Sequence, residues 1–264
     1  MRYPILFVSL LVFSIAAGPP LARAEVITRD VDYRQGGTVL EGYLAYDNQF
    51  KGKRPGIIVV HEWTGLGDYV KGRCRQLAGM GYVAFGADIY GKGIRPKTHE
   101  EAAKVSGYYA KDRALMRARI IAALDELKKN KLVDTSRIAA IGYCFGGAAA
   151  LELARSGADI AAVVTFHGLL ANPNPSDAKN IKAKVLVETG ADDPIVNMKQ
   201  VNAFIEEMRK TNVDWQLHMY GGAVHSFTVP EAGNDPSTGM AYNERADKRS
   251  WQEMKVFLKQ TFGE

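Results

Sequence analysis

The chain is predicted to fold as an α/β protein, a mostly parallel central sheet with helices on both faces and no lid domain. Three observations predict it. Short apolar runs alternate with longer helix-forming segments from residue 57 onward, an order that requires crossover connections and a parallel sheet covered on both faces. The runs are apolar throughout rather than alternating, as strands buried on both faces are. No repeat, low-complexity tract or Pro/Ser-rich linker divides the chain, and the Asn-, Pro- and Asp-rich connection at 168–183 is too short for a lid. The 264 residues, 47% hydrophobic and 24% charged, fit one large domain with a sizeable core.

The N-terminus is predicted to be a processed segment. Arg2 precedes an apolar run over 5–17, Gly18-Pro19-Pro20 breaks it, and Ala22-Arg23-Ala24 has the small-x-small pattern of a signal-peptidase site. The run is shorter than the ~20 residues that span a bilayer. Residues 1–24 are therefore read as a secretory signal, with a mature domain over 25–264 that is periplasmic or secreted and keeps no stable membrane anchor. Loss of Arg2 and Arg23 takes the formal charge from +5 to +3. That mild excess, spread along helices among acids, points to solvated faces and not to nucleic acid.

The mature chain then reads in order. Residues 26–33 and 38–46, split by Gln35-Gly36-Gly37, form a hairpin. Residues 57–60 are a buried strand ending at His61-Glu62-Trp63, followed by a helix over 68–80. Residues 82–87 are the next strand, ending at Asp88-Ile89-Tyr90. A long helical stretch at 99–130 bends near Gly107. The strand over 137–141 leads through Gly142-Tyr143-Cys144-Phe145-Gly146-Gly147 into helix formers at 148–155, stopped by Ser156-Gly157. Strands follow over 160–166, 184–188 and 214–220, the last with Trp215, Leu217 and Met219 on one face and His218 on the other. Helices over 196–211 and 243–262 complete the series, the last burying Trp251, Met254, Phe257 and Leu258.

Chemistry concentrates at the strand ends, where functional groups of parallel sheets gather. Gly-x-Cys-x-Gly between a strand and a helix is a nucleophile elbow with cysteine in the serine position. Glycines flank it because the turn is strained and crowded. A sulfur at a helix N-terminus faces the positive end of the macrodipole, which stabilises negative charge there. Cys144, Asp193 and His225 come in the order nucleophile, acid, histidine, with separations of 49 and 32 residues that each fit a strand-helix-strand step. Of two adjacent acids, Gly190-x-x-Asp193-Pro194 favours Asp193 for the catalytic role and leaves Asp192 to the turn. His225 follows two glycines at a strand end, which lets a loop aim its ring. Cys144 would attack an ester carbonyl, His225 would carry the proton and Asp193 would orient the imidazole. The N–H of Phe145 supplies one oxyanion donor and Trp63 the candidate for the other.

Two cysteines are too few for a disulfide scaffold. An oxidising compartment could join Cys74 to Cys144, but a bond there would inactivate the elbow, so free thiols are expected, with Cys74 a helix residue without chemistry. His61-Glu62 lacks a histidine four residues on, because Gly65 stands there, so no metal and no cofactor are expected.

His61-Glu62-Trp63-x-Gly65, Asp88-Ile89-Tyr90, Gly142-Tyr143-Cys144-Phe145-Gly146-Gly147, Gly190-x-x-Asp193 and His225-Ser226-Phe227, with Tyr242 and Trp251 of the last helix, together resemble the dienelactone hydrolase family across nearly the whole mature chain. The resemblance implies the α/β-hydrolase fold and cleavage of a lactone or enol ester, carboxymethylenebutenolide in the founding enzymes. It also implies that Glu62 interacts with Cys144 and helps create the thiolate when substrate binds. The founding enzymes hold the substrate carboxylate with two arginines. Lys92 follows Asp88-Ile89-Tyr90-Gly91 where the first would stand, Val229 stands where the second would, and Arg95 lies close by. Lysine supplies charge but no planar clamp. Tyr90, Lys92 and Arg95 are the expected substrate-binding residues. The reading is a cofactor-free, monomeric hydrolase of small esters or lactones. A general carboxylesterase or thioesterase and a non-catalytic binding protein on the same fold are the alternatives.

Overall fold

The structure, a computed structural model, describes residues 25–263; the expected signal segment lies outside them. Eight strands form a single sheet in the order β1-β2-β4-β3-β5-β6-β7-β8. β1 (Val26–Gln35) and β2 (Thr38–Asp47) are the antiparallel hairpin, and β2 also pairs antiparallel with β4. From β3 (Arg54–Val60) through β4 (Val83–Ala87), β5 (Val133–Tyr143), β6 (Ala162–Phe166), β7 (Lys184–Gly190) and β8 (Trp215–Tyr220) every pairing is parallel. Every residue of β3, β4 and β6 is buried, which is why these runs are apolar without alternation.

Helices cover both faces. α1 (Asp68–Gly79) packs Val70, Cys74 and Leu77 with Ile57, Val59 and Ile141 on one side, where Met254, Phe257 and Leu258 of α6 (Glu244–Phe262) join them. On the other side α3 (Arg113–Lys128), α4 (Phe145–Arg155) and α5 (Met198–Arg209) bury Ile120, Leu124, Leu151, Phe204 and Met208 against Ile58, Val60 and Ala140.

Three expectations need correction. The stretch at 99–130 is two helices, α2 (His99–Lys111) and α3, and the break lies at Asp112 rather than Gly107. Asp112 leaves the helical region at φ −102°, ψ 79°, and its side chain accepts from the Leu115 N–H, so a good cap starts the second helix. In β8 Met219 is exposed rather than packed with Trp215 and Leu217, because this edge strand is covered by little beyond its own neighbour. Trp251 is half-buried, with its ring under Arg73 at 4.9 Å rather than sunk in the core.

A buried ionic cluster ties α4 to α5. Arg155 donates to both Glu207 oxygens at 2.9 and 2.8 Å and to Glu152 at 3.2 Å, and Arg117 donates to Glu152 at 2.7 Å. Arg155 and Glu152 are fully buried. Each charge is compensated by fixed partners, the condition under which buried ions are tolerated.

Candidate active site

Six loops leave the carboxyl ends of the parallel strands and meet above the sheet. β5 ends at Tyr143, α4 begins at Phe145, and Cys144 makes the turn alone at φ 52°, ψ −117°. A non-glycine residue here stores roughly 1–3 kcal/mol of strain. Its carbonyl accepts from the Gly147 and Leu169 N–H groups and its N–H bonds to Phe166, so the surroundings hold the conformation. The flanking glycines are required by close approach: a Cβ on Gly142 would overlap the Gly146 carbonyl, and one on Gly146 would overlap the Val60 carbonyl.

Asp193 follows β7. Its Oδ1 accepts from the Ile195 and Val196 N–H groups at 2.7 and 2.9 Å, which leaves Oδ2 to accept from His225 Nδ1 at 2.8 Å. Asp192 accepts from the Gly222 N–H at 2.9 Å and so closes the neighbouring turn. His225 Nε2 lies 3.1 Å from Cys144 Sγ. The structure thus places sulfur, imidazole and carboxylate in one hydrogen-bonded line. Burial alone would lower the His225 pKa; negative charge on Cys144 and the Asp193 hydrogen bond outweigh it and push it up to about 10. An imidazolium at neutral pH follows. Strand-like clamps hold the histidine loop, with His225 N–H donating to Gly239 and Ala241 N–H donating to the His225 carbonyl.

Glu62, at the end of β3, is half-buried and lines a cleft shared with Trp63, Ser226 and Met240. Burial pushes its carboxyl up to about 7; His225 opposes the rise, and the Glu231 carboxylate adds to it. The preceding His61 is structural. Its Nε2 accepts from the Ile89 N–H at 3.2 Å, which leaves Nδ1 to donate to the Glu62 carbonyl. Burial lowers its pKa to about 4 and keeps it neutral. The Phe145 N–H is the first of α4 and has no acceptor within its helix.

The three expected substrate-binding residues hold other places. Lys92 Nζ donates to Asp32 at 2.6 Å and faces Glu41 at 3.6 Å. Arg95 donates to the Leu66 and Ile94 carbonyls at 2.9 and 2.8 Å and lies 3.7 Å from Glu41 and 3.8 Å from Asp88. Both are drawn to the hairpin acids and line neither the cavity at Cys144 nor the cleft next to it. Tyr90 is fully buried and donates to the Trp63 carbonyl at 3.0 Å. It braces the loop that carries Trp63.

Sequence reasoning missed the residues that shape and brace the site. A cavity of about 380 Å³ opens beside Cys144 and His225, walled by Trp63, Leu169, Ile195 and Met240 and by one face of α2. A second, of about 640 Å³, shares Trp63 and Met240 with it and carries Glu62, Asp68 and Glu231. Behind His225, Thr228 Oγ1 bonds to His167 Nε2 at 2.8 Å and to the Tyr69 hydroxyl at 2.6 Å, and the His167 ring meets the His225 ring edge-on at 5.2 Å. Arg73 joins the chain through Tyr69, the Thr228 carbonyl and Asp247. Only the period-four placement of Tyr69 and Arg73 on α1 hinted at this. Cys74, buried on the same helix, is a free thiol pushed up to about 12 by burial. Among the described residues no cluster of His, Cys, Asp or Glu is arranged to hold a metal ion, and no helix is long and apolar enough to cross a membrane.

The pattern of the Dienelactone hydrolase family matches residues 40–262. Two solved structures are 43% identical to the chain, each over 89% of it and 98% of their own length: "m3DLH", with a TM-score of 0.86, and the dienelactone hydrolase-like promiscuous phosphotriesterase P91 from metagenomic libraries, with a TM-score of 0.85. Among curated relatives, a Bradyrhizobium protein named "Probable 2-oxo-3-(5-oxofuran-2-ylidene)propanoate lactonase" is 28% identical over 241 residues, 87% of this chain and 94% of its own. A sheet of this order, with a Gly-flanked elbow and relatives of this extent, makes the chain a member of the dienelactone hydrolase family, a carboxylic ester hydrolase on the α/β-hydrolase fold.

Proposed function

We propose that the protein hydrolyses small carboxylic esters or lactones through Cys144, His225 and Asp193 by way of an acyl-enzyme. The observation that carries this is the line Cys144 Sγ, His225 Nε2, His225 Nδ1, Asp193 Oδ2, with contacts of 3.1 and 2.8 Å. The thiolate of Cys144 attacks the carbonyl carbon and a C–S bond forms. The carbonyl oxygen gains the negative charge, for which the Phe145 and Trp63 N–H groups are the donors. Collapse breaks the C–O bond, and the His225 imidazolium gives its proton to the leaving alkoxide. Neutral His225 then takes a proton from water, whose oxygen attacks the thioester; the acid leaves and the thiolate–imidazolium pair returns. Asp193 keeps the ring oriented and stabilises its charged form. Glu62 acts as the carboxylate that takes the Cys144 thiol proton as substrate enters, which leaves the thiolate next to the His225 imidazolium. Residues 1–24 direct export, and the mature chain acts as a monomer outside the cytoplasm.

The test is hydrolysis of p-nitrophenyl acetate and of a dienelactone, each beside Cys144→Ala. Turnover of either that disappears in the variant supports the reading. Full activity in Cys144→Ala removes it.

A further inference from the structure

The cavity at Cys144 and the cleft next to it, which share Trp63 and Met240, have different chemistry, and neither offers a substrate carboxylate a lysine or arginine. The smaller is walled mainly by apolar groups; Ser106, whose hydroxyl donates to the Ala102 carbonyl, also lines it, and Cys144 and His225 are its titratable lining residues. The larger carries the carboxyl groups of Glu62, Asp68 and Glu231, and no lysine or arginine lines either one among the described residues. The two nearest cations do not reach in. Arg95 spends its donors on backbone carbonyls and Lys92 spends its own on Asp32. A substrate carboxylate in the smaller cavity would therefore find no cation except His225, whose two ring nitrogens are taken by Asp193 and Cys144, and in the wider cleft it would meet like charge. Transfer of an ionised carboxylate to an unpaired apolar site is strongly unfavourable, and like charges at close range add to the penalty.

One wall of the smaller cavity is the face of α2 made by Ala103, Gly107 and Ala110, spaced at i, i+4 and i+7. These residues are small, so the cavity keeps its width. A Cβ at Gly107 would meet nothing within 4 Å. The glycine is not required by backbone conformation, and a larger side chain there would project into open space. The group retained on the sulfur gains most from burial in an apolar cavity, whereas a departing alcohol is polar and suits the wider, carboxylate-lined cleft.

We propose that this site, on the cysteine-hydrolase reading above, selects uncharged esters with an apolar acyl chain. That chain lies in the cavity against α2, with Gly107 and Ala110 as the specificity-determining residues. Neither that cavity nor the adjoining acidic cleft suits a carboxylate on either side of the scissile bond.

The experiment compares kcat/KM for p-nitrophenyl butyrate and for p-nitrophenyl hemisuccinate, whose acyl chains differ chiefly in a terminal carboxylate. The butyrate is expected to be preferred at least tenfold; a smaller preference, or a preference for the hemisuccinate, overturns the charge selection while leaving the hydrolase reading intact. Gly107→Lys and, in parallel, Ala110→Arg place a cation in the cavity. Each is expected to lower the butyrate-to-hemisuccinate ratio at least fivefold. An effect below that in both variants, with circular dichroism and melting like the parent, overturns the seat of the acyl chain against α2. Turnover of neither ester, or turnover that survives Cys144→Ala, removes the hydrolase reading, and this inference falls with it.

Discussion

The Tyr90 hydroxyl donates to the Trp63 carbonyl at 3.0 Å, and the Tyr90 ring packs 5.4 Å from that of Phe145. One buried side chain therefore contacts both residues whose N–H groups are the proposed oxyanion donors. Tyr90→Phe keeps the packing and deletes the tether. It is expected to lower kcat about tenfold with KM changed less than twofold, because the loss falls on charge that develops in the transition state. Steady-state kinetics on p-nitrophenyl acetate reads it; a rise in KM alone would return Tyr90 to substrate binding.

Cys144 holds a positive φ without being glycine. Cys144→Gly should abolish turnover and raise stability by about 1 kcal/mol, since the strain of that turn is relieved. Urea unfolding beside the parent and Cys144→Ala measures it. Equal stability of the Gly and Ala variants would mean the turn stores no strain.

The pH dependence follows from two groups. Glu62, with its carboxyl pushed up to about 7, is protonated below that pH and ionised above it. His225, pushed up to about 10, keeps its proton below that pH and loses it above. Activity that needs Glu62 ionised and His225 charged rises through about pH 7 and falls through about pH 10, with a plateau between. Glu62→Gln is expected to remove the acid limb and keep the alkaline one. An acid limb that survives the substitution assigns it to another group.

Thr228 accepts and donates among buried partners behind the catalytic histidine. Thr228→Val preserves shape but leaves His167 Nε2 unpaired and the Tyr69 hydroxyl with Arg73 alone, a cost of about 1–3 kcal/mol. A drop in melting temperature with a lowered kcat is expected. A neutral result would mean water replaces the hydroxyl.

Removal of one partner from the buried Arg155 cluster is expected to cost about 3–5 kcal/mol in Arg155→Ala, because Glu152 and Glu207 would keep their charges without it. Lys92→Ala, by contrast, is expected to leave kcat and KM for charged and neutral esters within about twofold, since its exposed ion pair lies outside the cavities. A selective rise in KM for carboxylate-bearing substrates would restore the role first expected for it.

The local pattern by itself determined most of the chemistry of this chain. Unbroken apolar runs announced buried parallel strands because a strand covered on both faces leaves few places for a polar side chain. Gly142 and Gly146 announced the elbow because no side chain fits where two backbones touch. Cys144, Asp193 and His225 were legible because each ends a strand, and the ends of parallel strands converge whatever lies between. What the tertiary structure decided depends on partners far apart in sequence. Asp32, on the hairpin, draws Lys92 away from the site. Trp63 turns Tyr90 from a substrate contact into a brace. A face of α2 that reads as ordinary small helix residues becomes the wall of a cavity only when the elbow packs opposite it. Chain order encodes which groups reach the strand ends; the charge and shape around them arise from packing, where every neighbour is distant in sequence.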